Sequence, residues 1–343
     1  MSQTAHAPRT PAAADLVDEL GLRRRLARLT TEDGFFLVPA LDHPENYLEL
    51  FDKDISRVAY DTVVRSKLEL AAHLAPHASA LLLDPVWSLG QAVATATLPR
   101  DVGLISSIEL LAYTPEGFGL ETELRPDWTP EKIARAGVDG VKVYLSYRAE
   151  TDVADSQRAL VGDLAARCHA AGLPLVVEPI WYALPGEDAT DPALQARRAA
   201  AIVASGAEFA SIGADVLKMQ FPGSVRTAEG RRSAEAAARE LDGALDRPWV
   251  LLSEGVGYDE FAVQVEVVSA AGASGYIAGR AIWGDAVGAI PEADRRAGLE
   301  RAARRLQELN AVVRAHGRPY LPQVSVDQVV TAMPEDWHVR FGA

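Results

Sequence analysis

Apolar positions along the chain gather into eight short runs, at 35–41, 80–83, 103–110, 138–147, 173–181, 214–222, 249–256 and 276–283. Each reads as a strand. Between them lie stretches with helical spacing, many rich in alanine, at 55–75, 87–95, 152–171, 192–205, 227–241 and 257–271. Several reach a glycine just before the next strand, at Gly137, Gly172, Gly206 and Gly272, where a left-handed helix cap is expected. Strand and helix alternating eight times places the chain in the α/β class. Count and length together predict a single (β/α)8 TIM barrel. A doubly wound open sheet is the alternative. That fold usually carries a Gly-rich dinucleotide turn early in the chain, and none follows the first strands here.

Segments outside the repeat extend the barrel at both ends. Residues 1–14 are rich in Ala, Pro, Thr and Ser and read as disordered. A helix is expected over 15–30, capped by Asp15, with Leu16, Leu20, Leu26 and Leu29 on its apolar side. It would plug the closed end of the barrel or help a dimer form, with Arg23, Arg24 and Arg25 as a solvated face. Residues 1–30 are thus an N-terminal extension and helix, 31–317 the barrel, and 318–343 a tail. The tail carries Tyr320, Trp337 and Phe341 and would pack on the barrel's outside or cover its mouth. Two long loops, 111–130 and 182–192, follow strands and therefore lie on the C-terminal face, as candidate lids or substrate walls.

Composition narrows the classes of function. A 48% hydrophobic chain of 343 residues can bury a full core. A net charge of -14, spread without long acidic blocks, speaks against a nucleic-acid partner or an anionic membrane surface. No apolar run approaches the length of a membrane span, and the first residues lack the apolar core of a secretion signal. The single Cys168 sits in a helical pattern and reads as a packing residue, which suits a reducing cytoplasm. The expectation is a cytoplasmic protein that handles a small molecule and forms a homo-oligomer, dimer or higher.

The candidate chemistry lies in charged residues that interrupt the apolar strands. Asp42, Glu109, Lys142, Glu178, Lys218 and Arg280 each break or close one, and six strands of one barrel bring them to one mouth. A set of unrelated ion pairs is the plainer reading. Alternation puts Lys218 on one face with Val216 and Gln220, opposite Leu217 and Met219. A lysine there either snorkels to solvent or loses its proton on burial and becomes a nucleophile toward carbonyls. Lys142, two strands away, would help keep Lys218 neutral by like-charge repulsion. Glu178, on the strand between, is placed to shuttle a proton. Asp42 and Glu109 would orient hydroxyls or hold Lys142. Gly255, Gly257 and Gly279 follow strands seven and eight, where backbone N–H groups can hold a phosphate and Arg280 can add charge. Loop geometry alone also explains glycines there. The seven histidines form no metal-binding set, and no P-loop or nucleophile elbow is present. These residues describe an aldolase without metal or cofactor, working through a covalent iminium on Lys218.

Five segments carry a family resemblance. They are Asp139–Arg148, Val177–Tyr182, Ala214–Met219, Leu252–Val256 and Ala278–Trp283, within 35–283. In these the chain resembles the class I tagatose 1,6-bisphosphate aldolases and their relatives in the DeoC/LacD group. The resemblance implies Lys218 as the Schiff-base lysine, Glu178 as the acid/base carboxylate, and Lys142 and Asp42 as active-site partners. It also implies Ser253, Gly255, Gly279 and Arg280 as the phosphate site of the dihydroxyacetone phosphate half. Sulfofructose-phosphate aldolases look similar in the same motifs, and a non-catalytic sugar-phosphate sensor on this barrel is a reading of another class. The chain departs from the family pattern at Asp42-His-Pro-Glu-Asn46 and at Glu254. If Ser253 points inward, alternation sends Glu254 outward, toward the helices, which is the favoured placement; if the strand has already ended, Glu254 could swing into the pocket, where a carboxylate beside a phosphate is repulsive.

Overall fold

The computed structural model describes residues 16–17, 19–42, 45–110, 113–114, 117–118, 121–188, 190–320 and 324–341. The expected Asp15 cap lies outside them. Eight strands form one sheet: β1 Phe36–Pro39, β2 Ala80–Leu83, β3 Gly103–Ser107, β4 Gly140–Ser146, β5 Leu175–Ile180, β6 Val216–Met219, β7 Trp249–Leu251 and β8 Gly275–Ala278. Their spatial order follows the chain from β1 to β8, and β8 pairs with β1. The paired strands run parallel, and an Ala40–Leu82 bridge joins the β1 and β2 segments, closing a (β/α)8 barrel.

Side-chain alternation sorts the core into two layers. Phe36, Val38, Leu82, Ile105, Val176, Val216, Val250 and Ile277 fill the barrel interior. Leu37, Leu81, Val143, Val177, Leu217, Met219 and Trp249 face the surrounding helices. The helix Leu20–Leu29 closes the lower end. Its buried Leu22, Leu26 and Leu29, at helical spacing, belong to the interior cluster. At Gly103 a Cβ would meet the Arg28 carbonyl oxygen at 2.2 Å, so the helix end can approach β3 only over a glycine. The expected solvated arginine face is corrected: Arg23 pairs with Glu19 at 2.8 Å and Arg25 donates to the Gly172 carbonyl at 2.9 Å, leaving only Arg24 of the three exposed.

Several boundaries differ from the sequence reading, each for a local reason. The helix expected over 192–205 continues to Ile212. Gly206 is not its cap, for a Cβ there would lie 2.7 Å from Leu241 and 3.1 Å from Met219. That glycine permits close packing, and the cap is Gly213 at φ 127°. The third apolar run splits after Ser107, and Glu109–Leu110 pairs antiparallel with Glu123–Leu124. The eighth splits after Ala278, and Arg280–Trp283 form one helical turn whose Trp283 indole donates to the Ala40 carbonyl at 3.0 Å. A long amphipathic helix not singled out in the sequence, Glu292–His316, covers the β8–β1 side with Leu299, Leu306, Leu309 and Val313 buried. Beyond it, Tyr320 donates its backbone N–H to the Gly34 carbonyl and packs near Phe36, while the helix Val326–Ala332 buries none of its residues. Among the described residues no helix is long and apolar enough to cross a membrane.

Candidate active site

Three consecutive strands supply the central side chains. Lys142 on β4, Glu178 on β5 and Lys218 on β6 all turn inward, as their outward neighbours Val141, Val177 and Leu217 show. Glu178 bridges the two lysines: Oε2 lies 2.8 Å from the Lys142 ammonium and Oε1 lies 2.9 Å from that of Lys218. Asp42, just past β1, and Glu109, just past β3, reach the same Lys142 nitrogen at 2.9 and 2.7 Å. All five residues are buried.

This arrangement fixes charge states. Burial pulls the Lys142 ammonium down, but the Asp42, Glu109 and Glu178 carboxylates outweigh it and hold Lys142 well above the ordinary lysine range. Burial pushes Glu178 up, and Lys142 and Lys218 outweigh that, leaving it below the ordinary carboxyl range. The expected repulsion between the lysines is therefore corrected. Lys142 is a neutralised cation inside a carboxylate ring, and the Glu178 carboxylate sits between it and Lys218.

A cavity of about 460 Å³ opens above these residues. Lys218 and Glu178 form part of its floor, and Asn46, Tyr144, Ile180 and Trp181 also line it. Leu252, Ser253, Glu254, Gly255, Ile277, Gly279 and Arg280 complete it. Lys142, Asp42 and Glu109 are absent from its lining and lie behind the floor. The two lysines thus differ in kind: one reaches the cavity and the other is enclosed. At the β7–β8 side, Gly255 adopts φ 79°, and a Cβ there would stand 3.6 Å from the Arg280 guanidinium. Arg280 is exposed, and its side chain has no hydrogen bond or ion pair among the described residues.

The strand has already ended before Glu254, since β7 stops at Leu251 and Glu254 takes a left-handed φ of 47°, so alternation does not send it outward. It lines the cavity, yet its carboxylate is held by Arg198 Nη2 at 2.7 and 2.9 Å and by Gln220 Nε2 at 2.6 Å. Arg198 comes from the helix Pro192–Ile212 and also donates to the Phe221 carbonyl at 3.1 Å.

Besides Arg148, which closes the first of the five segments above, two further buried cations were not picked out from the sequence. Lys67, wholly buried, donates to Asp84 at 2.6 Å and to the Leu41 carbonyl at 2.7 Å, directly beside Asp42. Arg198 is the other. Their signal is visible in spacing. Lys67 shares a helix face with Val63, Leu70, Ala71 and Leu74, and Arg198 lies between Leu194 and Ile202 at intervals of four. A charge on an apolar stripe announces a buried partner.

Residues 41–285 match the model of the DeoC/LacD family aldolases. The chain belongs to this family. It is an aldolase. Curated relatives include a tagatose 1,6-diphosphate aldolase 2 from Enterococcus faecalis, 26% identical across 93% of this chain and 96% of that one. A Streptococcus mutans protein of the same name is 29% identical across 76% of this chain and 84% of its own. Among solved structures, a fructose-bisphosphate aldolase from Slackia heliotrinireducens superposes at TM-score 0.62, with 17% identity, 96% of this chain and 94% of that chain covered. A Schiff-base-forming fructose-1,6-bisphosphate aldolase superposes at 0.57 with 18% identity, covering 85% of this chain and 99% of the other. At such identities these structures speak to the barrel fold.

Proposed function

We propose that this aldolase works by Schiff-base chemistry on Lys218 and cleaves a phosphorylated ketose to dihydroxyacetone phosphate and an aldehyde, without metal or cofactor. Tagatose 1,6-bisphosphate and fructose 1,6-bisphosphate are the substrates that its relatives' names suggest. The observation that carries the reading is the asymmetry of the lysines. Lys218 meets the cavity with a carboxylate at 2.9 Å, whereas Lys142 is closed in by three.

In this scheme Glu178 takes a proton from the Lys218 ammonium, and the free amine attacks the ketose carbonyl at C2. Glu178 returns that proton to the carbinolamine hydroxyl, which leaves as water, giving the iminium and restoring the Glu178 carboxylate. A carboxylate, assigned to Glu178, then takes the proton of the C4 hydroxyl. The C3–C4 bond breaks, its electron pair flows into the iminium as an enamine, and the aldehyde leaves. Protonation at C3 and hydrolysis return the amine and release dihydroxyacetone phosphate. Lys142 holds Glu178, Asp42 and Glu109 in place, and with Lys218 it keeps Glu178 ionised. Backbone N–H groups around Gly255 and Gly279, with Ser253 and Arg280, would bind the C1 phosphate.

Borohydride reduction in the presence of dihydroxyacetone phosphate tests the assignment. It should inactivate the enzyme and add the reduced ligand's mass to the peptide bearing Lys218. Label on Lys142 would reverse the roles of the two lysines, and no label with full activity would remove the Schiff base.

A further inference from the structure

One rim of the cavity holds a carboxylate next to the group that would bind an anion. Glu254 and Arg280 line the same space, and Gly255, the residue after Glu254, lies against the Arg280 guanidinium. Opposite charges on one rim can pair, and a glutamate on Arg280 would occupy the anion's place. The pair is not made. The Glu254 carboxylate turns instead to Arg198 and Gln220, with contacts of 2.6 to 2.9 Å.

Three features hold it there. Arg198 is buried and anchored to the Phe221 carbonyl, so its guanidinium is fixed before Glu254 arrives. Gln220 is fixed in turn, accepting from the Trp181 N–H at 2.7 Å. Glu254 itself sits at φ 47°, a conformation that non-glycine residues adopt rarely and that persists where the surroundings impose it. A left-handed glutamate held by three charge-assisted contacts is directed away from the partner beside it.

We propose that Arg198 is a positioning residue for substrate binding: it captures Glu254 and so leaves Arg280 free for the substrate's phosphate. This rests on the reading of Arg280 as the phosphate ligand. Without Arg198 the Glu254 carboxylate, partly exposed on the rim, turns to the cation that shares that rim, Arg280. The phosphate then meets a neutralised rim in place of a free cation.

The test uses borohydride trapping with two probes, dihydroxyacetone phosphate and dihydroxyacetone. The readout is the ratio of the concentrations giving half-maximal trapping, which reports preference for the phosphate rather than general integrity. Arg198→Gln should lower that preference roughly tenfold or more, the scale of one lost charge-assisted contact. Arg198→Gln with Glu254→Gln should restore it, since no carboxylate remains to block Arg280. A general structural defect would not be rescued by the second change. Arg280→Ala should abolish the preference. If Arg280→Ala abolishes it and Arg198→Gln does not move it, the role of Arg198 is overturned while the phosphate reading stands. If Arg280→Ala leaves it intact, the phosphate reading falls and the proposal with it. Should Arg198→Gln fail to fold, Glu254→Gln alone decides. It keeps Arg198 and removes the competing carboxylate, so the preference should hold or rise, and a lowered preference overturns the proposal.

Discussion

Replacing Lys142 with methionine is the most informative single perturbation of the site. The change keeps much of the side chain's volume and deletes the charge on which Asp42, Glu109 and Glu178 converge at 2.7 to 2.9 Å. Glu178 retains Lys218, whereas Asp42 and Glu109 lose the cation between them. Two buried carboxylates facing each other do not both stay ionised. At least one takes a proton, and holding a carboxyl with an ordinary value near 4 protonated at pH 7 costs about 4 kcal/mol. That agrees with the roughly 3–5 kcal/mol measured when a buried ion pair loses one partner. Against a total stability of about 5–15 kcal/mol the loss is large, and at roughly 2 °C per kcal/mol it lowers Tm by about 8 °C. The pH dependence gives the sharper test. In the variant these carboxyls have folded-state values above their unfolded ones, so the folded state binds more protons. The deficit against the parent is then widest near pH 7 and narrows toward pH 5. Denaturant unfolding of parent and variant at both pH values measures it. A deficit below about 1 kcal/mol at pH 7, or one that does not shrink on acidification, would refute the carboxylate ring as the reason Lys142 is buried.

Glu178→Gln should keep the fold and slow turnover by roughly 10²-fold or more, measured as kcat on a ketose bisphosphate; unchanged turnover with a lower Tm would make Glu178 a structural ion-pair partner. The pKa of His169 is held above the ordinary histidine value of 6.5, first by its hydrogen bond to Asp215 and against its burial. Stability from that pair is fully present below pH 6.5 and is lost as pH rises through the folded-state value, so the Tm gap between parent and His169→Gln should be wider at pH 5.5 than at pH 8.5. Lys67→Met should destabilise by about 3 kcal/mol, since it strands Asp84 in the core, and Lys67→Met with Asp84→Asn should recover part of that in the same unfolding assay; no recovery would mean that the loss comes from the Leu41 carbonyl or the packing instead.

The barrel is legible in the sequence because each of its strands is buried on both faces. Such strands read as unbroken apolar runs, and inside them a lysine or glutamate stands out. Alternation then assigns faces correctly where the strand is regular: Val216 and Lys218 point in, Leu217 and Met219 out. It stops working where the strand stops. Glu254 lies three residues past the end of β7 with a left-handed backbone, and no count of twos places it. Gly206 misleads for a related reason. In sequence, a glycine before a strand resembles a helix cap, but here its missing side chain makes room for Leu241 and Met219.

Charge pairing was the least legible layer, because it depends on distance between residues remote in the chain. Lys142 and Lys218 look alike as strand lysines, and proximity alone suggested that one would depress the other. What separates them is company. Lys142 has Asp42, a hundred residues earlier, and Glu109, thirty-three residues earlier, in addition to Glu178. Lys218 has Glu178, which it shares. The same sorting recurs around the cavity: Lys67 is matched with Asp84 and Arg198 with Glu254, while Arg280 stands on the lining with no ion partner among the described residues. Cations behind the wall are neutralised by carboxylates of their own, so each adds rigidity without adding net charge to the pocket. The cation left without an ion partner among the described residues faces the cavity, on the guanidinium proposed to hold the phosphate, in the same lining as the amine proposed to attack. A barrel mouth organised this way can present Arg280 to an anion although the chain as a whole carries a net charge of -14.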